Sequence, residues 1–175
     1  MHCRRFAVST LVFTLVLASF VADDDAIPPS RVLDWTVGEW VGVRRDGADG
    51  SEAPMKMRVE SILGGAGQAR HLEVRHDGGV YRGFSVQVFD TELGRWVRQY
   101  VNATRSTFVR LEGEVDGERT IWRSVAPERK RESRLVSERP TPETWRNTMN
   151  VSDDHEKTWR VLWIDELRRS GGDGS

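Results

Sequence analysis

The stretch LDWTVGEWVG, residues 33–42, carries two of the seven tryptophans of the chain, just where a long series of strand-like segments begins. Trp35 comes three residues before Gly38, and Trp40 follows that glycine by two. Ser30 has a side chain that favours a helix N-cap, and a glycine readily ends a helix in a left-handed conformation. We therefore predict one short helix that begins at Ser30 and ends before Gly38, where the first strand starts.

From Gly38 onward the sequence alternates between apolar and polar residues. In PMKMRVESIL, residues 54–63, the side chains of Met55, Met57 and Val59 share one face, and the residues between them are polar or charged. A period of two is typical of a half-buried antiparallel strand. The remaining strand-like segments are GEWVGVRRD, ARHLEVRH, VYRGFSVQVFD, GRWVRQYVNA, TFVRLEGEV, RTIWRSVA, ESRLVSE, TWRNTMNVS and TWRVLWIDELRR.

These segments predict an all-β fold. About ten strands at a spacing of roughly 8–12 residues, joined by short Gly-, Asp- and Pro-containing turns, are typical of an all-β barrel or sandwich. Short connections favour an up-and-down antiparallel order, and closure removes the exposed edges of such a sheet. We therefore predict a barrel of about ten antiparallel strands, with the short N-terminal helix capping one end.

Composition limits the number of domains and the classes of partner. The 175 residues are 38 % hydrophobic and 30 % charged, which is enough for one domain with one core. The formal net charge is -1 and the arginines are spread along the chain, so no basic stripe indicates nucleic-acid binding. The predicted parts are a signal peptide at 1–22, a linker at 23–29, the barrel at 30–169 and a disordered tail at 170–175.

The N-terminal segment has the pattern of a bacterial secretory signal peptide. Arg4 and Arg5 precede an uncharged, mainly apolar run over residues 6–22, and three aspartates follow. Cleavage would place the protein in the periplasm or outside the cell, with no stable membrane insertion. It would also remove Cys3, the single cysteine, so we expect no disulfides. An uncleaved membrane anchor is the alternative.

The Gly-x-Trp arrangement at residues 38–40, with Arg168 and Arg169 at the end of the last segment, resembles the calycin superfamily of lipocalins, fatty-acid-binding proteins and nitrobindins. The resemblance implies that Trp40 packs at the floor of the barrel under an arginine of the closing strand, a cation–π contact. It also implies that the helix carrying Trp35 lies across that end. A barrel of more than eight strands has room for a small ligand.

A second resemblance covers nearly all of residues 33–169. The segments GRWVRQYVN, LEGEVDGE and KTWRVLWIDELRR, together with Phe89-Asp90, are similar to an uncharacterised family of bacterial domains with a calycin-like barrel. Those domains have an Asp-Gly-Gly-x-Thr-Trp turn before the last strand. This chain has Asp154, His155 and Glu156 before Thr158-Trp159. The resemblance implies an architecture and no chemistry.

Alternation also predicts which side chains face the interior. The apolar residues predicted to point inward are Met55, Met57, Val59, Leu72, Val74, Phe84, Val86, Val88, Leu135, Met149, Val161 and Trp163. Polar and aromatic residues on the same faces form the predicted ligand-binding set, which is Arg82, Trp96, Arg98, Tyr100, Asn102, Asn147, Trp159 and Asp165. The predicted barrel-closing set is Trp35, Trp40, Arg168 and Arg169.

Arg98 is the main candidate for ligand recognition. An inward arginine beside Tyr100 resembles the way in which fatty-acid-binding proteins hold a carboxylate, since a guanidinium forms a two-pronged hydrogen bond. The expected ligand is a small amphipathic or apolar molecule, with an anionic amphiphile as one form. In the alternative interpretation the strand is turned over, with Val97 and Val101 inside and Arg98 in solvent. Asp165 is expected to be the partner of an inward arginine or an acid with a raised pKa.

The sequence contains no catalytic motif that favours an enzyme over a binding protein. No serine lies in a Gly-x-Ser-x-Gly elbow, and we predict no catalytic residue, cofactor or metal site. The alternatives are a haem-dependent isomerase similar to nitrobindin and a filled barrel that serves as an envelope interaction module. Haem would need a histidine within the barrel, and His76 is the one that alternation places inward. His71 falls on the opposite face and His155 in a turn.

Overall fold

The computed structural model describes residues 27–103, 108–125 and 131–171. The predicted signal peptide, the first part of the predicted linker and the last four residues of the predicted tail lie outside these ranges. Within them no helix is long and apolar enough to cross a membrane. The ten strands are β1 (Gly38–Asp46), β2 (Glu52–Ile62), β3 (Gly67–His76), β4 (Gly79–Asp90), β5 (Arg95–Asn102), β6 (Phe108–Asp116), β7 (Arg119–Ser124), β8 (Glu132–Thr141), β9 (Thr144–Ser152) and β10 (Arg160–Arg169).

The strands form one closed antiparallel barrel in which each strand pairs with its neighbours in the chain. β1 and β10 close the ring, with Trp40 opposite Arg169 and Arg44 opposite Asp165. The prediction of an all-β, up-and-down barrel of about ten strands is confirmed. Closure pairs the two terminal strands, so that no strand of the sheet is left with an open edge.

A short helical segment precedes β1, as predicted, but it consists of two 3₁₀ turns, Pro29–Arg31 and Asp34–Thr36. The prediction that Ser30 caps a helix is wrong, since Pro28 occupies the N-cap position and no side chain caps the turn. A proline pre-sets a helical φ angle without needing a backbone donor, which suits the start of so short a turn.

The two turns cover one end of the barrel, which we call the closed end. Leu33 is buried there among Trp96, Trp122, Leu111 and Leu135, which come from four different strands. Hydrogen bonds fix the segment further. The Thr36 hydroxyl donates to Gln68 Oε1 over 2.9 Å, and Gln68 Nε2 donates to the Leu33 carbonyl over 2.8 Å. The segment is therefore bonded to the interior of the barrel as well as packed against it.

Three tryptophans fill the other half of the closed end. Trp35 lies 5.4 Å from Trp145 and 6.4 Å from Trp40, and Trp40 lies 5.3 Å from Trp145, measured between ring centroids. All three pairs meet edge to face, the arrangement that the charge distribution of aromatic rings favours. Trp40 also donates its indole N–H to the Thr36 carbonyl over 2.8 Å. This cluster explains why Trp35 and Trp40 lie on either side of the start of β1.

Arg169 ties β10 to the same cluster. Its guanidinium carbon lies 4.5 Å from the Trp40 ring centroid, and its two terminal nitrogens donate to the carbonyls of Trp35 and Val37. Gly38 has a φ of +132°, and a Cβ there would lie 2.7 Å from Arg169 Nη1. The glycine of Gly-x-Trp is thus required by the close approach of the closing arginine.

Arg168 does not take part in this contact. It is exposed on the outer face, because alternation along β10 places neighbouring side chains on opposite sides of the sheet. Its predicted role in closing the barrel is wrong.

The strand faces agree with the prediction except in β4 and at the start of β10. In β4 the interior residues are Tyr81, Gly83, Ser85, Gln87 and Phe89. The predicted inward orientation of Phe84, Val86, Val88 and Arg82 is therefore wrong. β4 pairs with β3 so that Tyr81 lies opposite Val74, and residues opposite each other share a face.

A β-bulge reverses the face at the start of β10. The register shifts between Val161 and Trp163, so Val161 points outward and is 37 % exposed, while Trp163 points inward. The predicted inward position of Val161 is wrong for this reason. The bulge lies at the end of the barrel opposite the two 3₁₀ turns.

Candidate functional site

The barrel encloses a cavity of about 320 Å³ between the closed end and the opposite end, which we call the mouth. Its size falls at the lower end of the range of small-molecule sites. The lining is mixed, with polar residues among aliphatic and aromatic ones. The residues that line it are Arg44, Met57, Arg70, Leu72, Tyr81, Gly83, Ser85, Arg98, Tyr100, Val109, Leu111, Arg131, Ser133, Leu135, Asn147, Met149, Val151, Leu162, Trp163 and Asp165.

Arg98 of β5 lies near the floor of the cavity and is 4 % exposed. Its Nε donates to Gln87 Oε1 over 2.8 Å, and its guanidinium carbon lies 3.7 Å from the centroid of the Trp122 ring. Both partners are electrically neutral. Burial, and after it the neighbouring positive charge of Arg70, lowers the pKa of Arg98 well below its ordinary value.

Arg70 of β3 faces the same cavity and is 7 % exposed. Its partners are also neutral, since it donates to the sulfur of Met57 over 3.2 Å and its guanidinium lies 4.5 Å from the Trp145 ring centroid. Burial lowers the pKa of Arg70 to about 10, and the charge of Asp165 opposes this change. An arginine with this pKa remains protonated at neutral pH.

Within the described residues no carboxylate oxygen lies within 4.0 Å of a nitrogen of Arg70 or Arg98. A guanidinium carries five N–H donors, and each of these two uses one of them in a hydrogen bond to a described side chain. Two buried cations with neutral partners are costly to retain in an apolar interior. This pair is therefore suited to meet an anion.

Arg44 differs from these two because it is paired. Its Nε and Nη2 donate to the two carboxylate oxygens of Asp165 over 2.7 and 3.0 Å. The guanidinium also lies 3.9 Å from the ring centroid of Trp163. Burial raises the pKa of Asp165, and the bidentate contact with Arg44 favours the charged carboxylate. Asp165 is thus the partner of an inward arginine.

Two tyrosines lie beside this ion pair. The hydroxyl groups of Tyr81 in β4 and Tyr100 in β5 are hydrogen-bonded to each other. Burial raises the pKa of Tyr100 above its ordinary value, and the hydrogen bond with Tyr81 adds to the rise. Tyr100 therefore stays neutral and supplies no counter-charge to the arginines. Gly83 leaves room for the Tyr100 ring, because a Cβ there would lie 2.4 Å from the Tyr100 oxygen.

A chain of hydrogen bonds joins Arg98 to the closed end. Gln87 accepts from Arg98 and donates through Nε2 to Gln68 Oε1 over 2.7 Å. Gln68 in turn holds the segment of Leu33 and Thr36. Both glutamines are almost completely buried, so the guanidinium of Arg98 has a fixed direction.

Four residues of the predicted ligand-binding set line the cavity, namely Arg98, Tyr100, Asn147 and Asp165. Asn147 accepts a hydrogen bond from the Ser137 hydroxyl over 2.7 Å. The alternative interpretation, in which Arg98 points to solvent, is wrong.

The other four predicted ligand-binding residues lie elsewhere. Trp96 is buried in the core of the closed end, below the cavity. Arg82 is on the outer face, 3.4 Å from Glu73, because β4 is turned over relative to the prediction. Trp159 precedes β10 and packs against Arg134, with 4.3 Å between the guanidinium and the ring centroid. Asn102 lines a larger, more open depression on the outer face instead of the cavity.

Sequence reasoning did not identify Arg70 or Arg44, although alternation gives a signal for both. Arg70 comes two residues before Leu72, which the same alternation places in the interior, and Arg44 comes four residues after Trp40. The same parity places each arginine inside.

The described residues do not fit haem in the manner of nitrobindins. His76 is exposed at the end of β3, and none of the histidines that the structure describes lines the cavity. His76 shares the parity of the buried Val74, but it lies at the exposed end of β3 and does not line the cavity. Nor does the described part of the chain contain a group of three His, Cys, Asp or Glu side chains that could hold a metal ion.

Comparisons with known proteins support the fold. No protein-family model matches the chain, and no curated protein sequence matches it. Among solved structures, it is similar to the S-type phycobiliprotein lyase CPES from Guillardia theta, with a TM-score of 0.54 and 11 % sequence identity. The match covers 79 % of this chain and 90 % of the lyase. At this identity the likeness shows a shared β-barrel fold.

Proposed function

We propose that the protein binds a small amphipathic molecule with an anionic group in the barrel cavity. The observation that carries this proposal is the pair of buried guanidiniums, Arg70 and Arg98, whose partners within the described residues are all neutral. Along β3 and β5 the two arginines are the next inward residues after Gln68 and Trp96 of the closed end. The anionic group would therefore lie deepest in the cavity, next to the closed end. The apolar part of the ligand would lie towards the mouth, among Leu72, Val109, Met149, Val151 and Leu162.

The similar barrel is named a phycobiliprotein lyase, and its fold is consistent with this proposal. We also propose that the chain belongs to the uncharacterised bacterial family that its segments resemble.

The proposal is tested by titrating the purified protein with decanoate and with decanol, following tryptophan fluorescence and calorimetric heat. Trp163 lines the cavity and contacts Arg44, so a ligand there should change its emission. We expect decanoate to bind and decanol to bind more weakly. Arg98→Leu should weaken decanoate binding by about 2–5 kcal/mol, the usual loss when one member of a buried charge pair is removed.

The matched control is Arg82→Leu, which removes an arginine from the outer face of the neighbouring strand and should leave binding unchanged. Binding of decanol alone would contradict the role of the arginines. If decanol and every anionic amphiphile tested fail to bind, the proposal fails and the filled-barrel interaction module becomes the better description.

We further propose that the protein is exported to the periplasm or beyond. The support is the sequence pattern of Arg4, Arg5 and the apolar run over residues 6–22. Mass analysis of the mature N-terminus should give a start between Ser19 and Asp23. Recovery of an intact Met1 in a membrane fraction would favour the uncleaved anchor instead.

A further inference from the structure

The cavity wall carries more positive than negative charge. Its charged residues away from the mouth are Arg44, Arg70, Arg98 and Asp165. The carboxylate of Asp165 is engaged by Arg44 through two hydrogen bonds. Three guanidiniums and one carboxylate leave an excess of two positive charges, and these belong to Arg70 and Arg98. The fifth charged lining residue, Arg131, is half exposed at the mouth and is paired with Asp153 over 2.7 Å.

The other polar residues of the cavity do not reduce this excess. Tyr81 and Tyr100 share a hydrogen bond and are neutral, and Ser85, Ser133 and Asn147 carry no charge. Arginine does not lose its proton in proteins at physiological pH. A ligand with a single negative charge would therefore leave one buried guanidinium without a counter-charge.

Arg70 and Arg98 are diagonal neighbours across β4 and line the same cavity. They lie on β3 and β5, on either side of β4, with Ser85 opposite Arg70 and Gln87 opposite Arg98. The positive charge of Arg70 makes the charged form of Arg98 less favourable, as expected for neighbouring cations. A group with two negative charges placed between Ser85 and Gln87 would lie beside the strand positions of both arginines, Arg70 next to Ser85 and Arg98 next to Gln87.

We propose that the natural ligand carries two negative charges at its buried end, as in a phosphate monoester or a dicarboxylate, and that Arg70 and Arg98 together neutralise them. This inference rests on the proposed function, because it specifies the charge of the anionic group that the cavity binds. It excludes simple fatty acids as the best-fitting class of ligand.

The test compares pairs of probes that differ by one charge. Decyl phosphate carries close to two negative charges at pH 8, since its second pKa is about 6, whereas decyl methyl phosphate carries one. Decylmalonate and its monomethyl ester form the corresponding dicarboxylate pair. Dissociation constants are measured by calorimetry at pH 8, with decanoate as a reference. We expect the dianion of at least one pair to bind at least tenfold more tightly than its monoanion.

Two variants assign that preference to the arginines. Arg70→Gln and Arg98→Gln each leave a single excess positive charge. In each variant the dianion should therefore bind only about one to two times as tightly as its monoanion. Arg82→Gln, on the outer face, should keep the wild-type ratio. Circular dichroism of each variant verifies that the barrel is folded, and a variant that does not fold is replaced by the Lys substitution, which keeps the charge and should retain the preference.

The outcomes separate the two proposals. A preference in the phosphate pair alone identifies a phosphate monoester, and a preference in the malonate pair alone identifies a dicarboxylate; either supports the inference. Affinity ratios below ten in both pairs, with decanoate and the probes still bound, overturn the dianion and leave the proposed function standing. Failure of all the anionic probes to bind overturns the proposed function as well.

Discussion

At the scale of single residues, Gly38 and Arg169 show how two distant positions depend on each other. The backbone of Gly38 has a φ of +132°, and Arg169 occupies the space that a Cβ would need. Neither constraint is visible in either residue alone. The Gly-x-Trp pattern and the terminal arginine are therefore two parts of one contact at the closed end.

We expect Gly38→Ala to destabilise the protein by about 3 kcal/mol, because it combines backbone strain with a collision against the guanidinium. Urea unfolding measures the change. Gly94→Ala is the control, since Gly94 has a φ of +64° but no heavy atom within 4 Å of the position that a Cβ would take. That substitution should cost about 1 kcal/mol from backbone strain alone. Equal costs for both would show that Arg169 yields without resistance.

Arg169→Leu should lower the free energy of unfolding by about 2 kcal/mol. The substitution removes two charge-assisted hydrogen bonds to the carbonyls of Trp35 and Val37 and the contact with the Trp40 ring. Arg168→Leu changes the neighbouring, exposed arginine and should stay within about 0.5 kcal/mol of the wild type. A similar loss in both variants would contradict the contact described for Arg169.

Trp40→Ala should cost about 3–5 kcal/mol, the usual range for deleting a large buried aromatic side chain. Trp40 is completely buried and contacts two other tryptophans. Thermal and chemical unfolding both measure this loss. A change below about 1 kcal/mol would be inconsistent with its place in the core.

At the scale of elements, the turn between β9 and β10 is built without the glycines of the resembling family. His155 and Glu156 have φ values of 56° and 66°, so non-glycine residues occupy the left-handed region there. Asp154 organises the turn, because its carboxylate accepts from the backbone and hydroxyl of Thr158 and from the hydroxyl of Ser152. In this chain the hydrogen bonds of Asp154 stabilise the turn, in place of the backbone freedom that glycines would give it.

The turn should contribute to acid sensitivity. Hydrogen bonds from Thr158 and Ser152 lower the pKa of Asp154 from 3.8 to about 2. Its stabilising contribution is therefore complete above about pH 4 and is lost as the pH falls through about 2. Asp154→Asn should thus destabilise the protein at pH 6 and approach the wild-type stability near pH 2, as measured by urea unfolding. Asp77→Asn, in the exposed turn after β3, should follow the wild type at both pH values.

The strands also show which features of the fold could be predicted from the sequence. Alternation and turn residues identified ten strands, since each half-buried strand repeats the same period. The face of β4 could not be assigned in this way, because its apolar residues Phe84, Val86 and Val88 lie outside while Ser85 and Gln87 lie inside. An interior that serves a polar cavity breaks the rule that apolar residues face inward.

The candidate site was predicted only in part for the same reason. Arg98, Tyr100, Asn147 and Asp165 follow from strand parity, whereas the reversal at Val161 depends on a bulge that no single residue signals. The pairing of Arg44 with Asp165 also needs the register of β1 against β10. β1 and β10 are the two terminal strands and no turn joins them, so their register is fixed only when the whole sheet closes.

At the scale of the whole molecule, β10 closes the sheet and contributes residues to both the cavity and the closed end. Asp165 holds Arg44, and Arg169 holds the segment before β1. A chain truncated after Lys157 should lose cooperative unfolding and aggregate, because β1 and β9 are then left as unpaired edges. Truncation after Gly171 is the control and should leave the unfolding transition unchanged. Light scattering and thermal melting distinguish the two.

The three tryptophans of the closed end have an optical consequence. Indole rings that meet edge to face at 5.3 to 6.4 Å between centroids have coupled electronic transitions, so they should give a strong circular-dichroism couplet in the ultraviolet. Replacing Trp35, Trp40 or Trp145 with phenylalanine should weaken that couplet, whereas replacing Trp163 at the cavity should spare it. The couplet of the three clustered tryptophans therefore reports on the packing of β1 at the closed end, and the emission of Trp163 reports on ligand in the cavity.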